Sequence, residues 1–138
     1  MDISVALDFA AANHRAVLGT RRRDGGPQLS PVVAGVIDGA LVVSSRAGLA
    51  KVSNLRRDPA ATLLIMTDAF FGPWVQVEGP ATIRDQSDPR TLGLLEDVYR
   101  SIAGEHPDWA DYRRAMIEED RVVIEIRPER AAGVPPRG

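Results

Sequence analysis

Two glycine turns near the start of the chain constrain its fold more than any other feature. Asp24-Gly25-Gly26 and Asp38-Gly39 each interrupt runs rich in β-branched and apolar residues. Asp-Gly pairs supply the left-handed backbone that tight hairpins require. Three consecutive strands, Ala16–Thr20, Gln28–Asp38 and Ala40–Ser45, are therefore predicted to run antiparallel. On the second strand Gln28, Ser30, Val32 and Ala34 share one face, with Leu29, Pro31, Val33 and Gly35 on the other. Pro31 cannot donate to a ladder, so it marks an edge, a bulge or an outward N–H side.

The third strand runs into a different kind of local structure. After Val42-Val43 come Ser44-Ser45-Arg46-Ala47-Gly48, and then a short helical pattern that must end by Asp58, because Pro59 disfavours helical geometry just before it. A strand followed by a small-polar turn and a helix start converges backbone N–H groups on an anion. Arg46 and Lys51 flank that turn, which points to a phosphate-bearing cofactor. Within the helix, Leu49, Val52 and Leu55 are predicted to pack on the sheet. Lys51 and Asn54 share the adjacent flank, and Ser53 and Arg57 point to water.

Ile3, Leu7 and Ala10 predict a short amphipathic helix ahead of the first strand. Arg21-Arg22-Arg23 reads as a solvated strand end. Ala60 to Thr67 is continuously apolar enough to predict a strand buried on both sides. Asp68 to Pro73 is a loop carrying Phe70 and Phe71, suited to a flap or an oligomer contact. Trp74 to Arg84 is the next strand, with a bend or bulge at Glu78-Gly79-Pro80. Asp88-Pro89 is read as the start of a helix with the apolar stripe Leu92, Leu95, Val98, Tyr99 and Ile102. Asp108 caps a further helix through Met116, Arg121 to Pro128 is the last strand, and Ala131 to Gly138 is an extended tail.

About six strands, with hairpins early and helices late, predict a mainly β fold in one domain over residues 1–138: a six-stranded antiparallel barrel with peripheral helices. Strand-helix-strand alternation is missing, so a doubly wound sheet is not expected. The net charge of −2 argues against a nucleic-acid partner. The chain has no cysteine, and its two histidines, His14 and His106, lack metal-ligand spacing, so no metal site is expected. No apolar run approaches the roughly 20 residues of a membrane span. Asp2 and Asp8 stand where a signal peptide carries positive charge, which predicts a cytoplasmic protein away from membranes. No nucleophile elbow or acid–base pair is present, so catalytic residues stay unassigned.

Four segments, taken in order, resemble one family: Leu18-Gly-Thr20, Asp24-Gly-Gly-Pro-Gln-Leu-Ser-Pro-Val32, Lys51-Val-Ser-Asn-Leu-Arg-Arg-Asp-Pro59 and Val77-Glu-Gly-Pro-Ala81. They resemble the split-barrel flavin-binding superfamily of pyridoxamine 5′-phosphate oxidase, and more closely its actinobacterial branch that uses the deazaflavin coenzyme F-420. Tyr99 to Tyr112 and Gly133-Val-Pro-Pro136 resemble that branch too. The resemblance implies a split barrel and a homodimer with the cofactor in a groove between protomers. It places the phosphate on Ser44, Ser45, Arg46, Lys51 and Asn54. The ring lies along Gln28, Ser30, Pro31 and Val32, bordered by Trp74 of the second protomer. Relatives often carry a further basic residue two before the lysine. Here that position is Leu49, so either Arg46 substitutes or the phosphate is held more weakly.

The implied activity is hydride transfer from reduced F-420 to an unsaturated small molecule, the cofactor supplying the chemistry and the protein the shape. A proton must also arrive, from water or a side chain. The alternatives are an FMN-binding flavoprotein of the oxidase type and a non-catalytic cofactor-binding protein. Those oxidases usually carry an Arg and a His with a Trp near the C-terminus, whereas the tail from Ile126 has neither His nor Trp.

Overall fold

The computed structural model describes residues 1–134 and 136. In chain order the elements are α1 (Ile3–Ala12), β1 (Arg15–Arg21), β2 (Pro27–Ile37), β3 (Ala40–Arg46), α2 (Ala50–Arg57), β4 (Ala60–Met66), β5 (Trp74–Arg84), α3 (Thr91–Ala103), α4 (Trp109–Glu118), β6 (Arg121–Ile126) and β7 (Arg130–Val134). Antiparallel pairings run β4-β1-β2-β3-β6-β5, and a β4–β5 pairing closes the ring into a six-stranded barrel. The β2–β3 turn has Asp38 and Gly39 both at positive φ, as a two-residue hairpin of the primed type requires.

The barrel is split at a definable place. Pro27 to Val33 of β2 pair with β1, whereas only Ala34 to Ile37 pair with β3. Ser44 to Arg46 of β3 pair with β6 instead. Pro31 sits on the half of β2 that has a single ladder neighbour, where a missing N–H is tolerated. β5 behaves similarly. Trp74 to Glu78 pair with β7, and Ala81 to Arg84 pair with β6. The change of partner falls at Gly79-Pro80, where the sequence predicts a bend or bulge, while the ladder to β4 runs on through both residues.

Alternate residues of every barrel strand point inward. Leu18, Leu41, Leu63, Ile65, Val75, Val77, Ile124 and Ile126 are fully buried there, joined by Phe9 of α1 and by Val52 and Leu55 of α2. Each such side chain contributes about 1.5–3 kcal/mol by leaving water. A second cluster packs α3 and α4 against the outside of β3 and β6 through Leu95, Val98, Tyr112, Met116, Val42 and Val123. Asp108 caps α4 by accepting from the Asp111 N–H at 3.1 Å.

Four expectations are corrected. β4 is buried on one face only, because closing a barrel turns Thr62, Leu64 and Met66 outward. α3 begins at Thr91. Asp88 caps the preceding turn, accepting from the Arg90 N–H at 2.9 Å. Leu49 is the half-exposed residue before α2, not part of its packed face. The tail contributes a seventh strand, β7, to the edge of β5, while positions 135, 137 and 138 of that tail lie outside the described residues. Among the described residues no helix is long and apolar enough to cross a membrane.

Candidate cofactor-binding site

The end of β3 and the start of α2 form a cationic corner. Leu49 precedes the helix and has no side-chain acceptor, so α2 starts uncapped. The N–H groups of Val52 and Ser53 reach the Leu49 carbonyl, whereas those of Ala50 and Lys51 belong to the first turn that a helix leaves without internal partners. Lys51 is half-buried beside this turn. Burial and the neighbouring Arg121 charge both push its ammonium pKa down, and among the described residues no acid acts against them. An ammonium without a counter-ion, next to orphan N–H donors, is the electrostatic complement of a phosphate.

Arg46 lies at the same corner but is engaged. Its guanidinium donates to Glu119 Oε1 at 2.9 Å, and Arg121 donates to the same oxygen at 3.0 Å. These contacts, Arg121's first, hold the Glu119 carboxyl below its ordinary pKa. Ser44 and Ser45 face opposite sides of β3. Ser44 is half-buried, and buried Ser45 donates to the Arg46 carbonyl at 3.2 Å.

Asn54 occupies a different environment from Lys51. It is buried, and its Nδ2 donates to Thr20 Oγ1 at 3.1 Å. Its Oδ1 accepts from Arg57 at 3.1 Å. Thr20 donates in turn to Gln28 Oε1 at 3.1 Å, and Gln28 Nε2 donates to Ser30 Oγ at 2.7 Å. α2, β1 and the single-neighbour half of β2 are thus joined by one continuous polar chain. It links three of the site residues nominated from sequence: Gln28, Ser30 and Asn54. Val32 follows on the same inward face, and Pro31 is exposed on the other.

The outward face of the sheet is largely apolar over five strands, with Gln76 and Arg15 as its polar members. Ladder registers align Pro31, Val17, Leu64, Gln76 and Ala132 in one row, and Val33, Arg15, Met66, Trp74 and Val134 in the next. Leu29 is 65% exposed, Val33 51% and Val134 59%. Phe70 and Phe71, exposed in the loop between β4 and β5, pack edge-on at 5.1 Å. A cavity of about 320 Å³ opens among Gly19, Leu29 and Thr62 on this face. Trp74 therefore lies on the outer surface, apart from the cationic corner at Lys51.

Thr20 and Arg57 belong to this constellation and were not nominated from sequence as site residues. The available signal for Thr20 was its phase. It continues the inward series of Ala16 and Leu18, where a polar side chain needs a buried partner. Arg57 gave no such signal, because its guanidinium folds back onto Asn54 and the Arg21 carbonyl (2.7 Å) only once β1 lies alongside. Among the described residues no three His, Asp or Glu side chains cluster as metal ligands do.

A closed six-stranded barrel, split beside a cationic helix start, defines this chain as a split-barrel protein. The family model for pyridoxamine 5′-phosphate oxidase matches residues 5–134, and the chain belongs to that family of flavin-binding proteins. A conserved hypothetical protein of Mycobacterium tuberculosis is similar at 26% identity, over 98% of this chain and 85% of that one, with a TM-score of 0.76. A heme binding protein from Mycobacterium smegmatis is 23% identical over 99% of this chain and 55% of that one, with a TM-score of 0.73. An F-420 reductase is 21% identical over 87% of this chain and 90% of that one, with a TM-score of 0.65. The last two likenesses show the fold alone.

Proposed function

We propose that this protein is a cytoplasmic oxidoreductase that uses the deazaflavin coenzyme F-420 for hydride transfer to an unsaturated small molecule. It works as a homodimer with the cofactor in a groove between protomers. The observation that carries this reading is the half-buried Lys51 ammonium at the uncapped start of α2, which has no acidic partner among the described residues. Such a donor set fits a phosphate. Lys51 and the first N–H groups of α2 would hold it, with Arg46 shared from Glu119 and one of Ser44 and Ser45, which face opposite sides of β3. Gln28, Ser30, Pro31 and Val32 would border the ring along the half of β2 that lacks a β3 partner, with Trp74 of the partner subunit on the ring's far side.

When bound, the coenzyme supplies the hydride, and the chain supplies position and exclusion of water. The apolar outward face gives a second protomer the surface it needs to close the groove. The likeness to an F-420 reductase favours the deazaflavin. FMN, which also carries a phosphate, is the second reading, favoured by the family match itself. Titration of the apo-protein with each cofactor, followed by tryptophan fluorescence, separates the two. F-420 is expected to bind more tightly, and tighter FMN binding overturns the choice. A protein that binds F-420 but transfers no hydride to any unsaturated acceptor tested is a carrier instead.

A further inference from the structure

The polar chain from Arg57 to Ser30 has a direction, and both of its ends determine it. A guanidinium can only donate, so Asn54 must turn Oδ1 to Arg57 and Nδ2 to Thr20. Thr20 Oγ1 accepts from Nδ2, which leaves its own proton for Gln28 Oε1. At the other end, Gln28 Nε2 also stands 3.3 Å from the Leu29 carbonyl, which can only accept. Gln28 therefore cannot be reversed without placing two oxygens together. Ser30 Oγ accepts from Nε2 at 2.7 Å, so its hydroxyl proton is left over. Among the described residues that proton has no protein acceptor, although Ser30 is only 9% exposed.

We propose that Ser30 is a directed hydrogen-bond donor to an acceptor atom, a carbonyl oxygen or anionic ring nitrogen, of the ligand bound along β2. Thr20, Asn54 and Arg57 are the positioning residues that aim it. The inference rests on the reading that a cofactor ring lies there, and it adds which chemistry of that ring is recognised. A hydroxyl free to rotate offers either a lone pair or a proton. Here Gln28 occupies one of the two lone pairs and no group among the described residues takes the proton, so the hydroxyl is held with its proton free for a ring acceptor.

The test is a double-mutant cycle read by cofactor affinity, with F-420 and FMN as the probes. Ser30→Ala should weaken binding of the preferred cofactor about tenfold, the worth of one well-placed hydrogen bond. Asn54→Asp is nearly isosteric and breaks the direction of the chain. A carboxylate accepts from both Arg57 and Thr20, so Gln28 either turns Oε1 against the Leu29 carbonyl or loses its bond to Thr20, and in both cases Ser30 is no longer aimed. Asn54→Asp should lose about tenfold, and adding Ser30→Ala should lose little more. Additive losses, or a Ser30→Ala variant that binds like the parent, overturn the proposal.

Because Asn54→Asp also adds charge near Lys51, Thr20→Val provides an uncharged cycle with the same expected non-additivity. Thr20→Ser should restore parental affinity. Circular dichroism and thermal midpoints report whether each variant folds. If Thr20→Val does not fold, parental affinity in Thr20→Ser and the Asn54 cycle still decide the matter. If the parent binds neither cofactor, the functional reading fails by itself. The direction of the chain is then read in the apo-protein from exchange of the Gln28 side-chain amide protons. That exchange should be slow in the parent and fast in Asn54→Asp, and equal rates refute the aimed chain.

Discussion

Gly79 passes so close to Arg127 that a Cβ on it would stand 1.8 Å from the Arg127 carbonyl oxygen. This is where β5 exchanges β7 for β6. The crossing is held by the Arg127 N–H on the Pro80 carbonyl at 3.0 Å and the Glu129 N–H on the Glu78 carbonyl at 2.8 Å. Backbone packed on backbone cannot yield as a flexible side chain can. Gly79→Ala is expected to destabilise the protein by about 1–3 kcal/mol or more, measured by urea unfolding. Gly93→Ala is the matched contrast. A Cβ there meets nothing within 4 Å and the residue is helical, so stability should rise by up to about 1 kcal/mol.

Lys51 carries the phosphate reading, and its depressed pKa predicts a pH dependence. Burial and Arg121 disfavour the charged form in the folded protein. Below the folded pKa both states are protonated and the penalty is fully present. Between the folded value and the ordinary 10.5 the unfolded chain binds more protons, so this residue's contribution to stability rises with pH. Lys51→Met should abolish that rise and leave the apo-protein at least as stable near neutral pH. The same substitution should weaken binding of the preferred cofactor at least about tenfold, the scale of a lost charge-assisted contact. Unchanged affinity in the fluorescence titration refutes the anchor.

Tyr112 predicts the opposite slope. Its hydroxyl donates to the Leu95 carbonyl at 2.8 Å, tying α4 to α3, and burial pushes its pKa up to about 12. The unfolded phenol ionises near 10.0, so the folded state holds its proton longer. That stabilisation is complete below pH 10 and is lost as pH rises through the folded value. Tyr112→Phe should cost about 1–2 kcal/mol at neutral pH and remove this alkaline loss, both read from unfolding curves at several pH values.

The apolar outward face predicts self-association. Leu29 and Val33 are exposed on the same side of β2, in the rows on either side of Pro31. Leu29→Glu with Val33→Glu should give a monomer by light scattering while leaving the thermal midpoint of that monomer near its original value, since neither side chain is in the core. Cofactor affinity should fall with the dimer. A doubly substituted protein that still runs as a dimer, or a parent that is a monomer, overturns this reading.

Much of the architecture was legible because its causes are local. Asp38-Gly39 demands a positive-φ turn wherever it occurs, Pro59 ends a helix by sterics with its neighbour, and Gly79-Pro80 interrupts a ladder. These account for the antiparallel order and for most strand boundaries. β7 was missed because Arg130 to Val134 is short, small and not alternating, and pairs only where β5 offers a free edge. β4 was misjudged because an apolar run does not reveal whether its second face meets a core or an outer surface.

The candidate site divides along the same line. Residue types alone singled out the Ser44 to Pro59 corner, where small polar residues, a glycine and two cations surround a helix start. Tertiary structure decided the rest. Only barrel closure pairs Arg46 with Glu119, seventy-three residues away in sequence, and among the described residues leaves Lys51 without an acid. Only packing of α2 on β1 buries Asn54 and threads it through Thr20 to Gln28 and Ser30. Turns and caps are decided by neighbours along the chain. Burial, counter-ions and the direction of a hydrogen-bonded chain are decided by neighbours in space, and no spacing within one strand or helix encodes them.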